Sequence, residues 1–398
     1  MKQKRQIGIV MAHHVSFSAK ATEGLMAYFL QNTQWTPLMI WPCEEDLWYL
    51  NKIKPDGIIT STWTMIQLKQ MKAVKALGCP VVVVGALPHP ATGVAVVSED
   101  NHLAGRLAGQ HFIDRGYVNI AFYGIHNYLP CDQKAAGLFE FLAEKSLPAS
   151  MMHLGDIRDA FSSSPAQSNA PLERWLLDLP KPVGIFAHSD HTALRLLRIC
   201  HQLGLHVPEE VAILGMDNIE PVCTTCIPQL SSIPLRGKPM GYQAGELLAK
   251  ILEGKNPPDA TVYVPPGEIV SRQSTDTFAV ADERIRTALQ FIRKHAESHI
   301  GVADIAAAAN MSRRTLHRLF MQTLGRAPSD EIQRIRVERA QRFLRESSMS
   351  IEQIAARTGF SDKVTLHRNF LKRLNCTPGE YRKSFRPEQQ TPARLSPL

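Results

Sequence analysis

The sequence contains one helical pattern twice: residues 304–320 read DIAAAANMSRRTLHRLF, and residues 353–370 read QIAARTGFSDKVTLHRNF. Each copy predicts a short Ala-rich helix, a tight turn and a second helix. This order is typical of a helix-turn-helix unit, whose second helix lies in the major groove of DNA. The two copies therefore decide the fold of the C-terminal part of the chain.

In the first copy, small apolar residues occupy one side of the first helix, and Ser312 is placed to cap the second helix. Three apolar positions predict the buried side of that second helix: Leu316, Leu319 and Phe320. Three polar positions fall at i, i+3 and i+4 on the opposite side: Arg314, His317 and Arg318. Guanidinium and imidazole groups in an exposed stripe suit guanine edges and phosphates.

The second copy repeats this plan with one extra residue before its second helix. We expect Ser361 to cap that helix, and Leu366 and Phe370 to anchor it. The outward positions are then Lys363, Val364, Thr365, His367 and Arg368. A single basic amphipathic helix is often only a solvated face. Two matching copies joined by a further helix favour DNA binding instead.

Two more stretches belong to the same pattern as IAARTGF at 354–360 of the second copy: IQRIRVERAQRFL at 332–344 and TPGEYR at 377–382. Together with the two units they resemble the DNA-binding domain of AraC-family transcription regulators, over about a quarter of the chain. Asn375 stands where that family usually has Gly, and Asn also suits a left-handed helix end. The resemblance implies that the outward residues read base edges in two successive major grooves.

Composition limits the remaining possibilities. A length of 398 residues with 44% hydrophobic content suggests two or three folded domains. Residues from 280 onward carry 22 Lys and Arg against 12 Asp and Glu, whereas residues 1–279 carry 23 against 25. This asymmetry predicts a polyanionic partner at the C-terminal end. We expect no signal peptide, no membrane partner, no cofactor, no metal and a cytoplasmic location, with Cys223 and Cys226 as ordinary loop cysteines.

The first 270 residues alternate apolar strand-like runs with helical patterns. Residues 6–125 predict a doubly wound α/β domain, with strands at 6–11, 36–41, 57–60, 81–85, 94–97 and 119–123 and helices at 21–31, 65–77 and 104–115. A second such domain is expected to follow, with strands at 151–154, 184–187, 211–215 and 261–264 and helices at 133–144, 170–178, 193–203 and 239–253.

Several phrases in this region resemble the sensor domain of LacI/GalR regulators: DGIIT at 56–60, PVVVVG at 80–85, SEDN at 98–101, NIAFYG at 119–124 and AILGMDN at 212–218. The resemblance implies a two-lobed periplasmic-binding-protein-like sensor over residues 1–270. It is followed by a linker at 271–283, an all-α domain at 284–385 with two helix-turn-helix units, and a tail at 386–398. A sensor of this kind followed by an AraC-type domain resembles the arrangement in a group of sugar-operon activators. This implies a pentose effector, D-xylose.

A ligand of such an α/β sensor is expected beyond the carboxyl ends of the strands. Asp217 follows the strand at 211–215 and is itself followed by Asn218, and Asp190 follows the strand at 184–187. By resemblance, Asp217 and Asp190 accept hydrogen bonds from sugar hydroxyls, with Asn218 beside them. The alternative for each carboxylate is a helix cap or a turn.

Three further side chains are candidates for the same site. Lys134 stands three residues before Gly137, where the LacI-type family normally has an Arg that holds hydroxyls. Lysine offers a point charge rather than a fork, and the alternative for Lys134 is a solvated helix lysine. Phe17 and Trp63 follow early strands and are candidates to stack on the sugar, although each could instead pack within its own lobe.

These features predict a sugar-responsive transcription activator that binds a double-stranded DNA operator as a homodimer and contacts RNA polymerase. An enzyme is disfavoured because the His188-Ser-Asp-His191 run places neighbouring side chains in different directions. Two alternatives stay open. One is a sugar-binding transport component, and the other is a DNA-binding protein whose sensor-like domain only dimerises.

Overall fold

The computed structural model describes residues 4–11, 16–32, 35–41, 44–61, 74–85, 93–156, 169–276 and 282–385. The chain forms two compact units. The first comprises residues 1–113 and 117–277, and the second comprises 114–116 and 278–398.

The first unit contains two parallel sheets flanked by helices. In chain order its described elements are β1 Arg5–Val10, α1 Ser16–Gln31, β2 Trp35–Ile40, α2 Glu44–Ile53, β3 Gly57–Ser61, β4 Val81–Val84, β5 Ala95–Glu99, α3 Asn101–Ile113, β6 Asn119–His126, α4 Leu129–Glu144, β7 Ala149–Asp156, α5 Ala170–Asp178, β8 Val183–Ala187, α6 Asp190–Leu203, β9 Val211–Asp217, α7 Glu220–Thr225, β10 Ser231–Pro234, α8 Gly237–Leu252 and β11 Thr261–Val264.

The described strands pair in the orders β11-β5-β4-β3-β1-β2 and β10-β9-β8-β6-β7, and all pairs of neighbouring strands are parallel. Most strands are apolar throughout because helices cover both faces of each sheet. β4, for example, is four consecutive valines that are all buried. The sequence prediction of continuous apolar strands is confirmed.

The prediction that the two domains follow one another in sequence is wrong. Strand β6 pairs with β7 and β8 in the second sheet, whereas β11 returns to pair with β5 in the first. Helix α8 also returns, since Met240, Ala244 and Leu248 lie in the same core as Ile7 and Ile9 of β1. Each lobe is therefore built from separate stretches of chain. Apolar runs identify strands but do not say which strands pair.

Glycine allows two helices of the second lobe to approach each other closely. A Cβ on Gly105 of α3 would lie 2.1 Å from the carbonyl oxygen of Lys134, and one on Gly137 of α4 would lie 1.9 Å from that of His102. No side chain fits at either position, so the backbones of α3 and α4 pack directly together. This contact fixes the position of Lys134 on α4.

The predicted linker at 271–283 is shorter than the sequence indicated. Ser274 and Thr275 are fully buried in a 3-10 turn, Gln273–Thr275, and hydrogen bond to the second lobe. Val270 pairs with Ser232 in an antiparallel bridge. Residues up to Asp276 thus pack on the second lobe, and Asp282 caps the next helix by accepting from the amide of Arg284. The predicted tail at 386–398 lies outside the described residues.

The second unit is helical. Its described helices are α9 Glu283–His295, α10 Val302–Ala308, α11 Arg313–Leu324, α12 Pro328–Glu346, α13 Ile351–Arg357, α14 Lys363–Leu374 and α15 Pro378–Phe385. The long helix α12 gives Ile332 and Ile335 to the core around the first helix-turn-helix unit. It gives Val337, Ala340 and Leu344 to the core around the second. One helix therefore joins the two units by burying apolar side chains in both.

Candidate effector site and DNA-binding helices

Lys134 is a buried cation on helix α4 of the second lobe. Its side chain is 4% exposed, and its Nζ donates to the backbone oxygen of His188 at 3.0 Å. A solvated helix lysine, the alternative reading from sequence, is wrong because this ammonium is enclosed. Burying a charge is costly without partners of opposite charge. Glu99 and Asp217 are carboxyl groups close enough for Lys134 to lower their pKa values.

Asp217 ends strand β9 in a strained conformation. Its φ is +109° and that of Asn218 is +50°, both in a region that residues with a side chain rarely adopt. Burial raises the pKa of Asp217 well above its usual range; Lys134 lowers it, and Asp190 and Glu99 raise it further. The Oδ1 atom of Asn218 is buried without a hydrogen-bond partner in the described part of the chain. Strain and unpaired polar atoms of this kind concentrate at binding sites.

Asp190 holds this turn from inside the lobe. Its side chain is fully buried, with Oδ1 accepting from Ser232 Oγ at 2.6 Å and Oδ2 accepting from the amide of Ile219 at 2.7 Å. The amide of Asn218 in turn donates to Ser232 Oγ at 3.0 Å. Both oxygens of Asp190 are thus engaged within its own lobe. This geometry favours the turn-forming alternative over direct contact with a sugar.

Glu99 and His188 join this cluster, although neither was singled out as a ligand-binding residue from the sequence. Glu99 ends β5 with its side chain 5% exposed, and burial raises its pKa. Burial and the nearby Lys134 lower the pKa of His188 well below its usual value, so its imidazole is neutral. Glu99 Oε2 and His188 Nδ1 are buried without a hydrogen-bond partner among the described residues. Their positions directly at the ends of predicted strands were the feature of the sequence that could have identified them as candidate site residues.

The aromatic candidates differ from the expectation. Phe17 is 8% exposed and packs in the core of the first lobe with Ile7 and Leu25, as its structural alternative predicted. Trp63 lies outside the described residues. Tyr128 instead adjoins the cluster: its ring packs edge-on against His188 with centroids 5.9 Å apart, and Glu99 and Asp217 act electrostatically on its hydroxyl. Its place just before α4 gave no such signal.

The cysteine pair Cys223-x-x-Cys226 is free in this structure. Cys223 Sγ donates to Asp190 Oδ2 at 3.3 Å, and burial raises the pKa of its thiol, which makes the reactive thiolate scarce. Within the described residues, no group of three or more His, Cys, Asp or Glu is arranged to hold a metal ion. No described helix is long and apolar enough to cross a membrane.

Helices α11 and α14 present the polar side chains that the sequence predicted to point outward. Those of α11 are exposed: Arg314, His317 and Arg318. Those of α14 are also exposed except for Thr365, which is partly buried: Lys363, Val364, Thr365, His367 and Arg368. The opposite faces are fully buried by Leu316 and Phe320 and by Leu366 and Phe370. We refer to α11 and α14 as the recognition helices.

The caps of the two recognition helices differ. Ser312 caps α11 by accepting from the amide of Thr315 at 3.1 Å, as predicted. The prediction that Ser361 caps α14 is wrong, because Asp362 accepts from the amide of Thr365 at 2.7 Å. The extra residue in the second copy moves the start of the helix by one position. Asp362 Oδ2 also accepts from the Thr365 hydroxyl at 3.0 Å, so that hydroxyl already has a partner.

A buried ion cluster supports the packing of α12 beside the first recognition helix. Glu331 is fully buried and accepts from Arg326 Nε at 2.5 Å and from Arg334 at 2.8 and 3.0 Å. Burial alone would raise the pKa of Glu331, but the two guanidinium groups hold it below the usual range. The carboxylate is therefore charged and bonded on both oxygens, as a buried ion requires.

Comparisons with known proteins agree with this division of the chain. The profile of the periplasmic binding protein-like domain matches residues 110–275, and that of a helix-turn-helix domain matches residues 305–384. The xylose operon regulatory protein of Escherichia coli K12 is 28% identical over 390 residues, which cover 96% of this chain and 97% of that protein. Its counterpart from Haemophilus influenzae is 26% identical over 344 residues, covering 84% and 86%.

A solved structure of a xylose-binding transcription activator has the same overall fold. It matches with a TM-score of 0.60 at 25% sequence identity and covers 96% of this chain and 98% of the other. The similarity thus extends through both units and is not confined to the helix-turn-helix region. The chain thus combines a periplasmic-binding-protein-like domain with a C-terminal helix-turn-helix domain, and it is similar over nearly its whole length to xylose operon regulatory proteins.

Proposed function

We propose that this protein regulates transcription in response to a small sugar that binds in the first unit beside Lys134, Asp217 and Asn218. The observation that carries the proposal is a set of buried polar atoms at the ends of strands that have no hydrogen-bond partner among the described residues, in a chain that also has two recognition helices. Buried polar groups are nearly always paired in native proteins, so a polar ligand is the expected partner. Asp190 supports the site by holding the Asp217–Asn218 turn.

The effector is a pentose, with D-xylose as the first candidate. This rests on the similarity to the xylose operon regulatory proteins of Escherichia coli and Haemophilus influenzae. Sugar hydroxyls both donate and accept hydrogen bonds, as the carboxyl, amide and ammonium groups of this cluster require. The ring of Tyr128 is a candidate apolar surface for the C–H face of the sugar.

The effector changes DNA binding through unequal affinity for two conformations of the sensor. Strand β10 offers a route within the first unit. Its Ser232 hydroxyl contacts Asp190 and the amide of Asn218, and its Ser231 hydroxyl accepts from the Thr275 hydroxyl at 2.8 Å. Neighbouring strand residues point to opposite faces, so β10 touches the effector turn on one side and the start of the linker on the other.

The recognition helices bind successive major grooves of an operator, using Arg314, His317 and Arg318 of α11 and Lys363, Val364, His367 and Arg368 of α14. Their exposure and their arginine content support this role. Thr365 contacts the operator through its backbone, or through its hydroxyl once that group exchanges its hydrogen bond to Asp362 for one to DNA. As an activator the protein would also contact RNA polymerase.

The protein acts as a homodimer in this proposal. Large apolar side chains are exposed on β2, α2 and the residue that follows β2, among them Met39, Trp41, Trp48 and Tyr49. Exposed apolar groups on neighbouring elements are typical of protein interfaces. A second copy of the chain would cover them and place two pairs of recognition helices along one operator.

The two alternatives predict different properties. A transport component would have no use for two capped recognition helices with exposed arginines. A domain used only for dimerisation would have no reason to keep buried polar atoms that lack a partner among the residues the structure describes.

The test is to measure the melting temperature with D-xylose, D-ribose, L-arabinose, D-glucose and D-galactose. We expect one pentose to raise it, because a ligand that binds only the folded state stabilises that state. The same sugar should leave the melting temperature of Asp217→Asn unchanged, while the variant's own stability stays close to that of the native protein. No shift with any sugar would contradict the proposed sensor function.

A further inference from the structure

The two recognition helices correspond position by position. Helix α11 spans Arg313–Leu324 and helix α14 spans Lys363–Leu374, so each has 12 residues. Each is followed by a left-handed residue, Gly325 or Asn375, whose amide donates to the carbonyl oxygen four residues earlier. Buried, partly buried and exposed side chains also follow in the same order from 312 to 320 and from 362 to 370. An offset of 50 residues therefore relates the two helices.

The helix caps establish which residues are equivalent. Ser312 and Asp362 each cap their helix by accepting a hydrogen bond from the amide three residues later. Matching the two copies on their serines would pair Arg314 with a lysine, and both helices would then carry a cation at that position. The caps instead pair Arg314 with Val364. A guanidinium group and an isopropyl group thus occupy the same place on the two helices.

The rest of the exposed stripe is the same in both helices. Three residues after Arg314 or Val364 comes a histidine, and four residues after comes an arginine. All four of these side chains are exposed: His317, Arg318, His367 and Arg368. The first turns of a recognition helix hold the residues that contact base edges. Within those turns, Arg314 and Val364 mark the stripe position at which the helices differ.

The two side chains suit different bases. Val364 is apolar and 59% exposed. In the major groove, the group that matches it is the C5-methyl of thymine. Beside a guanine edge, an isopropyl group would displace water from polar atoms without replacing the lost hydrogen bonds. Arg314 suits guanine instead, because N7 and O6 accept from two N–H groups of one guanidinium.

We propose that Arg314 and Val364 determine the sequence specificity of the two recognition helices: Arg314 selects guanine, and Val364 selects the C5-methyl group of thymine. The proposal rests on the proposed docking of both helices in the major groove and adds the base that each reads at this position. The base pairs contacted by one helix form its half-site. The two half-sites then differ, so each subunit binds its part of the operator in one direction.

The first test compares the DNA sequences that the full-length protein selects from a random-sequence pool, with the sugars of the melting-temperature test present. We expect the native protein to select guanine in one half-site and thymine at the corresponding position of the other. Arg314→Val should replace that guanine by thymine, and Val364→Arg should replace that thymine by guanine. The double variant should exchange the two half-sites. Arg198→Val, at an exposed position of α6, should select the native sequence.

The second test changes single atoms of the selected duplex. Uracil in place of the thymine removes only the C5-methyl group, and we expect native binding to weaken about fourfold, as for one buried carbon group. Guanine replaced by 7-deazaguanine lacks N7, and we expect native binding to weaken about tenfold. Val364→Ala should not distinguish thymine from uracil, and Arg314→Ala should not distinguish guanine from 7-deazaguanine. Both positions are exposed on helices, where alanine is well tolerated.

The outcomes separate the two proposals. Two identical half-sites, or variants that select the native bases, overturn the assignment of Arg314 and Val364 and leave the docking of the recognition helices standing. The same holds if native protein and Val364→Ala lose equal affinity on replacement of thymine by uracil. Failure of the native protein to select any sequence contradicts the docking itself, and the assignment with it.

Discussion

The buried groups around Lys134 show how single residues set the chemistry of the proposed effector site. His188 lies at the end of β8, 9% exposed, with Lys134 bonded to its carbonyl oxygen and its ring against Tyr128. Burial is the main cause that lowers its pKa, followed by Lys134 and His191. The imidazole is therefore kept neutral in the folded state, whereas in the unfolded chain it takes up a proton near pH 6.5.

This difference predicts a pH dependence of stability. The folded-state pKa of His188 is depressed, so the contribution of the neutral imidazole to the free energy of unfolding is fully present above pH 6.5. This contribution is lost as the pH falls towards the folded-state pKa, by at most about 1.4 kcal/mol per pH unit. Between pH 7.5 and pH 5, we expect the melting temperature of the native protein to fall further than that of His188→Gln. His201→Gln, which changes an exposed ring of α6, should follow the native profile. Parallel profiles for the native protein and His188→Gln would contradict the assignment.

Some residues of this site could be predicted from the sequence and others could not, for a physical reason. Asp217 and Asp190 both follow strands, so sequence order alone could not say that one has both oxygens engaged within its lobe while the other ends in a strained turn. Glu99 comes from β5 of the first sheet, and its proximity to Lys134 depends on how separate stretches of chain pair. That pairing is not encoded in local periodicity.

At the scale of elements, the recognition helices agree most closely with expectation. Their caps, buried faces and exposed faces follow from positions i, i+3 and i+4, which are local properties. The one error, the cap of α14, arose because Ser361 and Asp362 are both good N-cap residues. Helix α8 and strand β11 were identified as elements, but their return to the first lobe was not expected, since it depends on long-range pairing.

The recognition helices predict matched losses of DNA affinity. Arg318→Ala and Arg368→Ala remove corresponding exposed guanidinium groups from α11 and α14. We expect each to weaken operator binding by about 1–3 kcal/mol in a gel-shift titration. Arg198→Ala, which removes an exposed arginine from α6 of the first unit, should have no effect. Unchanged affinity in both recognition-helix variants would refute their docking in the major groove.

The ion cluster on α12 predicts a loss of stability in the second unit. Glu331→Ala leaves the largely buried guanidinium groups of Arg326 and Arg334 without this carboxylate. We expect the free energy of unfolding to fall by about 3 kcal/mol, measured by urea denaturation followed by circular dichroism. Glu352→Ala, at an exposed site on α13, should change it by less than about 1 kcal/mol. A stability loss equally small in both variants would show that the cluster contributes little.

At the scale of the whole molecule, a sugar-responsive sensor is joined to a pair of recognition helices. The two units were predictable from sequence because each carries its own motif and charge balance. The boundary between the two units was less predictable. The Ser- and Thr-rich stretch near residue 274 is typical of a linker, yet its hydroxyls are buried partners of Ser231 and Ile213. Small polar residues occur both in exposed linkers and in buried turns, and only tertiary contacts distinguish the two.

The central claim is that effector binding and DNA binding are coupled, so the most direct test measures one as a function of the other. A DNA duplex selected by the protein from a random-sequence pool is titrated at fixed salt, with and without the sugar that raises the melting temperature. We expect the sugar to change the DNA affinity of the native protein by about fivefold or more. We expect no change for Asp217→Asn, which should bind the duplex normally without sugar. An identical DNA affinity of the native protein with and without a sugar that it demonstrably binds would contradict the account.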